Sequence, residues 1–217
     1  LPPLSGSYPI SFHLSKQYDA RSVIGAGSYG IVCLAVHKPS GKEVAIKKIP
    51  FVDIKTCQQT FREMKLLWHF NHENIISLLD LQKPQSYETF SDDRMTSDLR
   101  VHLSQGPLSV LRCQSFTYQI LRGLKFIHSA NIMHRDIRPA NILVNSVGEL
   151  KICDFGLARA PSSENSPSMT GSVMLLAYCP PEAVLTPGEC TTAVDIWSTG
   201  CTFAEMLSGQ KLFKGRN

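Results

Sequence analysis

Several common signatures are missing from this sequence, and each absence removes a class of protein. The seven cysteines form no Cys-x-x-Cys pair, so neither a patterned disulfide framework nor a zinc site is predicted, and a reducing cytoplasmic or nuclear location is expected. The apolar stretch 196–207 is short and contains Glu205, which favours a buried helix over a membrane span. Lysine and arginine form no dense run and the net charge is only +4, so neither nucleic acid nor membrane is an expected partner.

The chain also lacks internal repeats and low-complexity tracts, and its hydrophobic pattern changes along its length. It begins at Leu1 rather than Met, which indicates a fragment or a trimmed chain. Strands are predicted at 31–36, 44–49, 75–81, 142–144 and 150–152, and helices at 58–69, at 111–130 and from Asp195 to about 207. A strand-rich first part and a helix-rich second part predict an α+β fold of two lobes. The predicted division is a leader at 1–17, a small β-rich N-lobe at 18–95 and a helical C-lobe at 96–217.

The first chemical motif is the G-x-G-x-x-G formed by Gly25, Gly27 and Gly30. Strand-forming residues lie on both sides of it, so we expect the tip of a β-hairpin rather than the strand-to-helix turn of a dinucleotide-binding fold. Glycines at such a tip allow backbone N–H groups to approach phosphate oxygens closely. An ordinary glycine-rich turn is the alternative if no other motif accompanies it.

Further motifs do accompany it, in a fixed order. These are Val44-Ala45-Ile46-Lys47, Glu63 on the next helix, His134-Arg135-Asp136 with Asn141, Asp154-Phe155-Gly156, Pro181-Glu182 and Asp195-Ile196-Trp197-Ser198. In this order and spacing the sequence resembles the eukaryotic protein kinases. The stretches 65–76, 128–131 and 205–209 are similar to the mitogen-activated protein kinases, and the resemblance covers about residues 18 to 217.

The resemblance implies ATP and Mg²⁺ as cofactors and assigns a role to individual residues. Asp136 would accept the proton of the substrate hydroxyl, and Asn141 and Asp154 would hold Mg²⁺ through oxygen atoms. Lys47 would contact the α- and β-phosphates and would be oriented by Glu63. The nucleotide would also meet the three glycines, and it would meet the apolar and hinge residues Ile24, Val32, Ala45, Met95, Asp98 and Leu143. Leu67, His134 and Phe155, anchored by Asp195, would stack as the family's regulatory spine.

Three departures from the family pattern affect the expected activity. Arg138 stands where the family has lysine. Its guanidinium keeps the positive charge but is not the compact ammonium group of lysine, so slower phosphate transfer is expected. Between Phe90 and Asp98 about five residues are missing, which predicts the loss of one N-lobe strand unless 82–90 pairs in its place. The chain ends at Asn217, where the family continues with more helices, so a truncated C-lobe is expected, with one face of the helix from Asp195 exposed.

The segment between Asp154 and Glu182 is identified as an activation segment with altered content. Thr170 and Ser172 are the predicted phosphorylation sites, standing where the family has Thr-x-Tyr. The stretches 174–177 and 179–180 replace the family's basic and aromatic residues, whose cations would receive a phosphate.

The resemblance implies a serine/threonine protein kinase of the mitogen-activated type. It would act on protein substrates at Ser/Thr-Pro sites and would be activated by an upstream dual-specificity kinase. Two alternatives stay open, a catalytically impaired, kinase-like binding module and a truncated kinase fragment that is not stable alone.

Overall fold

The structure is a computed structural model and describes residues 14–27, 30–49, 53–82, 88–91, 97–161, 175–186 and 190–214. Contacts between residues group the chain into two compact units. The smaller unit comprises 1–51 and 79–92, and the larger unit comprises 52–78 and 93–217. Helix 54–67 therefore belongs to the larger unit by its contacts, although the sequence-based division placed it in the N-lobe.

The smaller unit is built on one antiparallel sheet of five strands. Their order across the sheet is β1-β2-β3-β5-β4, with bounds β1 Tyr18–Gly27, β2 Gly30–His37, β3 Lys42–Lys48, β4 Leu78–Gln82 and β5 Glu88–Ser91. Residues 38–41 form the turn between β2 and β3, in which Gly41 adopts a φ of 68°, a conformation that glycine tolerates best.

Strand β5 corrects the expectation of a missing strand. It pairs with β3 in the register Ala45↔Ser91 to Lys48↔Glu88 and lies between β3 and β4 in the sheet. Pairing at Glu88–Ser91 overlaps the alternative left open above for 82–90, and the backbone edge of β3 is covered. Strand β4 begins at Leu78 rather than Ile75, because Ile75 and Ile76 are buried in the core of the larger unit.

The two faces of the smaller sheet differ in burial, as alternation along a strand requires. Cys33 and Ala35 on β2, with Val44 and Ile46 on β3, are buried and form one cluster with Tyr18. Val32 and Lys47 are direct cross-strand partners on the opposite face, as are Leu34 and Ala45.

Gly30 is the position in this sheet at which only glycine fits. Its φ is 124°, and a Cβ atom there would overlap the carbonyl oxygen of Lys48. We expect Gly30→Ala to lower the free energy of unfolding by about 2 kcal/mol or more, because strain and a backbone overlap add. Gly200→Ala is the matched control: no atom lies within 4 Å of its Cβ position on a helix, so urea unfolding should show no loss of stability. Equal stability of Gly30→Ala and the parent chain would contradict this geometry.

The larger unit is mostly helical and contains one large apolar core, with a small second cluster around Met133 and Val194. Its helices are α1 Ile54–Leu67, α2 Leu99–Leu103, α3 Val110–Ser129, α4 Pro181–Leu185 and α5 Ala193–Ser208, and its sheet is β6 Ser97–Asp98, β7 Ile142–Val144 and β8 Leu150–Ile152. Helix α3 presents Phe116, Ile120, Leu124 and Ile127 to the core, which confirms the predicted spacing. Asp53 accepts the Thr56 N–H at 2.7 Å as the N-cap of α1, so the helix starts four residues before the prediction.

Helix α4 begins at the C-terminal end of the activation segment. Pro181 occupies its first turn, where a backbone N–H has no partner within the helix, so the N–H that proline lacks is not needed there. A short helix can therefore begin at this proline.

The outer face of α5 is exposed, as predicted. Ile196, Trp197 and Leu207 are 47%, 39% and 41% exposed, and Trp197 stacks on Phe213. No helix in the described part of the chain is long and apolar enough to cross a membrane. The seven cysteines are present as thiols rather than as disulfides.

Candidate active site

In the smaller unit, the predicted nucleotide residues share one face of the sheet. Val32 and Lys47 are paired across β2 and β3, and Ala45 follows two residues before Lys47 on the same face. A Cβ atom at Gly25 would lie 3.8 Å from Val32, and Ile24 is half-exposed. Apolar side chains, a glycine and a cation thus lie together on the face away from the buried cluster.

In the larger unit, buried Asp195 fixes the loop that carries Asp136. Its two carboxylate oxygens accept the backbone N–H groups of His134 at 2.8 Å and Arg135 at 2.7 Å. Arg135 has a φ of 70°, a left-handed conformation that is unusual for arginine. The hydrogen bonds to Asp195 hold the loop in this strained conformation.

The carboxylate of Asp136 is held by two side chains from its own loop. Arg138 Nε donates to both of its oxygens at 3.0 and 3.1 Å, and Asn141 Nδ2 donates to Oδ2 at 2.6 Å. Burial raises the pKa of Asp136, whereas Arg138, His134 and Asn141 oppose that rise. The result is an oriented carboxylate with a pKa above that of an exposed aspartate, suited to accepting a proton.

Asn141 and Asp154 are the residues that the sequence predicted as Mg²⁺ ligands, and each carries a side-chain oxygen. Asn141 commits its amide nitrogen to Asp136, so its amide oxygen remains the group for a cation. Asp154 has a φ of 63°, and the N–H of Gly156 lies 3.4 Å from its Oδ1. Among the described residues no cluster of three or more His, Cys, Asp or Glu side chains could hold a metal ion. An amide oxygen and a carboxylate are nevertheless oxygen donors of the kind that Mg²⁺ prefers, so the chemistry of Asn141 and Asp154 fits this cation.

The predicted stack of the regulatory spine is present within the larger unit. The rings of His134 and Phe155 meet edge to face with centroids 4.7 Å apart. Leu67 and Phe155 belong to the same buried cluster, and His134 Nε2 lies 3.0 Å from the carbonyl oxygen of Cys153. The backbone of His134 is in turn tied to Asp195, which completes the expected anchor.

Asp98, the predicted ribose contact, is engaged with Arg100. Its carboxylate accepts the backbone N–H of Arg100 at 2.9 Å and two guanidinium nitrogens at 3.0 and 2.8 Å. It thereby caps α2, so a ribose hydroxyl would share an oxygen that is already hydrogen-bonded. Leu143 is half-buried against the core, and Glu63 is buried on α1. Met95, a predicted nucleotide contact, lies outside the described residues.

The end of the activation segment is fixed on α5 by Tyr178. Its hydroxyl donates to Glu205 Oε2 at 2.6 Å, and its carbonyl accepts the Ser198 hydroxyl at 2.8 Å. Burial and the Glu205 carboxylate raise the pKa of Tyr178 strongly, so the phenol stays protonated and keeps donating. Thr170 and Ser172 lie outside the described residues.

Three arginines, Arg62, Arg135 and Arg159, form a cationic cluster that the sequence motifs did not predict. Arg159 is held beside the Met133 backbone by a pair of hydrogen bonds, and Arg62 donates to the Gly156 carbonyl at 2.6 Å. Burial and the guanidinium groups of Arg62 and Arg135 lower the pKa of Arg159 to about 10. Arg135 is buried, and its Nε has no hydrogen-bond partner in the described part of the chain. The three residues are far apart in sequence, so no single motif predicts the cluster, although Arg135 belongs to the His134-Arg135-Asp136 motif and Arg159 closely follows Asp154-Phe155-Gly156.

Comparison with known proteins agrees with the fold. A family model described as protein kinase domain matches residues 18–217, and the chain belongs to the protein kinase family. It is 53% identical to the mitogen-activated protein kinase PMK1 of Pyricularia oryzae over 98% of this chain and 62% of that protein. It is 52% identical to the mitogen-activated protein kinase mpkB of Aspergillus fumigatus over 100% and 64%, and 47% identical to the mitogen-activated protein kinase spk1 of Schizosaccharomyces pombe over 97% and 59%.

The chain thus spans about three fifths of the length of the curated relatives it matches. Protein kinases in general use ATP and Mg²⁺, and mitogen-activated protein kinases in general have protein substrates and upstream kinases.

Proposed function

We propose that this chain carries the catalytic machinery of a serine/threonine protein kinase of the mitogen-activated type. The observation that carries the proposal is the loop 134–141, in which Asp136 is oriented by Arg138 and Asn141. Asp195 holds this loop rigid, as precise placement of a proton acceptor requires. The substrates are protein Ser or Thr side chains followed by proline, and the location is a reducing interior, cytoplasmic or nuclear.

Each side chain would contribute positioning or charge to the transfer of the γ-phosphate. Asp136 takes the proton of the substrate hydroxyl as that oxygen attacks phosphorus. Arg138 places a guanidinium beside the attacking oxygen, where negative charge is shared with the phosphate. The face of the smaller sheet with Val32, Ala45 and Lys47 supports the nucleotide by apolar contact and by one ammonium charge. Mg²⁺, when bound at Asn141 and Asp154, neutralises phosphate charge.

Nucleotide binding and phosphate transfer test the proposal separately. Mg-ATP at millimolar concentration should raise the melting temperature of the chain, because a ligand of the native state stabilises it by mass action. The chain should then transfer the γ-phosphate to a peptide with a Ser-Pro site and not to the matched Ala-Pro peptide. A rise in melting temperature with Mg-ATP but no transfer of phosphate to the peptide would show a binding module instead. A broad thermal unfolding transition that Mg-ATP does not shift would show a fragment that is not stable alone.

The pH dependence of the transfer should respond to Arg138. The guanidinium lowers the pKa of Asp136 against the rise caused by burial, so Arg138→Gln removes an opposing charge and raises that pKa further. Because only the deprotonated carboxylate accepts the proton, activity is lost as pH falls through this pKa. The acidic limb of the pH–rate profile should therefore move to higher pH in Arg138→Gln. It should stay closer to its original position in Arg138→Lys, which keeps the charge. If the acidic limb of the pH–rate profile did not move in Arg138→Gln, Arg138 would have no influence on the pKa of the proton acceptor.

Regulation by Thr170 is part of the proposal, with Ser172 as a second acceptor for an upstream dual-specificity kinase. The cluster of Arg62, Arg135 and Arg159 supports it, since clustered, partly desolvated guanidinium groups suit a phosphate dianion. Phosphorylation of Thr170 should raise activity in the parent chain but not in Arg159→Gln. The exposed Arg112→Gln serves as the control and should respond like the parent chain. Full activation of Arg159→Gln would rule out this receiving site.

A further inference from the structure

Thr186 stands out because it is an exposed hydroxyl residue followed in sequence by proline. The chain contains two Ser/Thr-Pro steps, Ser166-Pro167 and Thr186-Pro187. Ser166, Pro167 and Pro187 lie outside the described residues, whereas Thr186 is described and solvent-exposed at the end of α4. Val184 and Leu185, which precede it, are 59% and 78% exposed, so the approach to Thr186 from α4 is open.

From this position we infer that Thr186 is a phosphorylation site for a proline-directed serine/threonine protein kinase. The inference goes beyond the proposed function and does not require this chain to be active. In the reaction, Thr186 Oγ1 forms a bond to the γ-phosphorus of Mg-ATP held by the modifying kinase. The bond from that phosphorus to the bridging oxygen of ADP breaks, and the hydroxyl proton passes to a carboxylate of the modifying kinase.

The local hydrogen bonds predict what the phosphate does. Thr186 Oγ1 donates to the carbonyl oxygen of Glu182 at 3.2 Å, and the Thr186 N–H donates to the same oxygen at 2.8 Å. A phosphate removes the first of these bonds. It also adds negative charge where the carbonyl end of α4 is already negative, so it weakens the last turn of the helix. Helix α4 follows the segment that Tyr178 fixes on α5, so the modification acts on the activation segment from its far end.

The acceptor role is tested with the full chain carrying Asp136→Asn, so that the added kinase is the source of transfer. The chain is incubated with an active proline-directed kinase and Mg-ATP, and phosphopeptides are mapped by mass spectrometry. We expect phosphate on Thr186 and at least a tenfold loss of that product in Pro187→Ala. Thr191→Ala, which removes an exposed threonine without a following proline, should leave the product unchanged. An unmodified Thr186 beside a fully modified Ser-Pro control peptide would overturn the inference, as would equal modification of Pro187→Ala.

The effect on α4 is tested without any kinase. Thr186→Glu adds the charge, and Thr186→Gln has the same size without it. By the helix-terminus effect, amide hydrogen exchange at position 186 should be about 2- to 5-fold faster in the Glu variant than in the Gln variant. Raised salt should reduce the difference. Equal exchange in the two variants would contradict the predicted weakening. Because neither experiment depends on this chain's own catalysis, their failure is distinguishable from a failure of the proposed function.

Discussion

Asp136→Asn is expected to lower phosphate transfer by about 10²- to 10⁴-fold, the range that a positioned general base contributes. The amide has nearly the same shape as the carboxylate, and its oxygen can still accept from Arg138 Nε. It cannot take up the proton of the substrate hydroxyl at neutral pH. The loss should therefore fall on the transfer step, and stability should change little.

The measurement compares turnover with nucleotide binding in the same variant. Single-turnover transfer to a Ser-Pro peptide should drop, whereas the rise in melting temperature with Mg-ATP should match that of the parent chain. Asp19→Asn is the control, because Asp19 is an exposed partner of Arg21 outside the site, and its transfer rate should stay unchanged. Retention of full activity in Asp136→Asn would remove Asp136 from the role of proton acceptor.

The architecture was predictable where a residue pattern reports local structure directly. Strands 142–144 and 150–152 and the spacing of α3 follow from apolar residues that repeat with the period of each element. Strand β5 was expected to be absent because the sequence is short there. Backbone pairing needs only four residues, however, and Glu88–Ser91 supply them.

Side-chain partners in the site were less predictable than the residues themselves. The motifs identified Asp98 and Asp136, but the guanidinium groups that hold them depend on local backbone geometry. Asp98 is the N-cap of α2, and the side chain of Arg100, two residues later, contacts its carboxylate. The periodicity of the sequence does not predict this contact. The cluster around Arg135 is set by a bridge between Met133 and Arg159, which is a tertiary contact.

Asp195→Asn should have the largest effect on stability, because it acts where several buried groups share one carboxylate. Asp195 is fully buried and accepts hydrogen bonds from the backbone of His134 and Arg135. An asparagine retains one acceptor oxygen and turns an NH₂ group toward the other donor. At least one buried N–H then loses its partner, and the free energy of unfolding should fall by about 3 kcal/mol or more, since such bonds involve a charged group.

Transfer should fall together with stability in this variant, for a reason separate from unfolding. Arg135 holds a φ of 70° only while its N–H is bonded to Asp195, so release of this bond lets the loop relax and Asp136 turn away. Activity measured well below the melting temperature, where the variant is still folded, should remain reduced. Asp53→Asn is the matched control: its carboxylate also accepts a backbone N–H, but at an exposed helix cap where asparagine serves equally well. Full activity of folded Asp195→Asn would show that the loop keeps its geometry without this anchor.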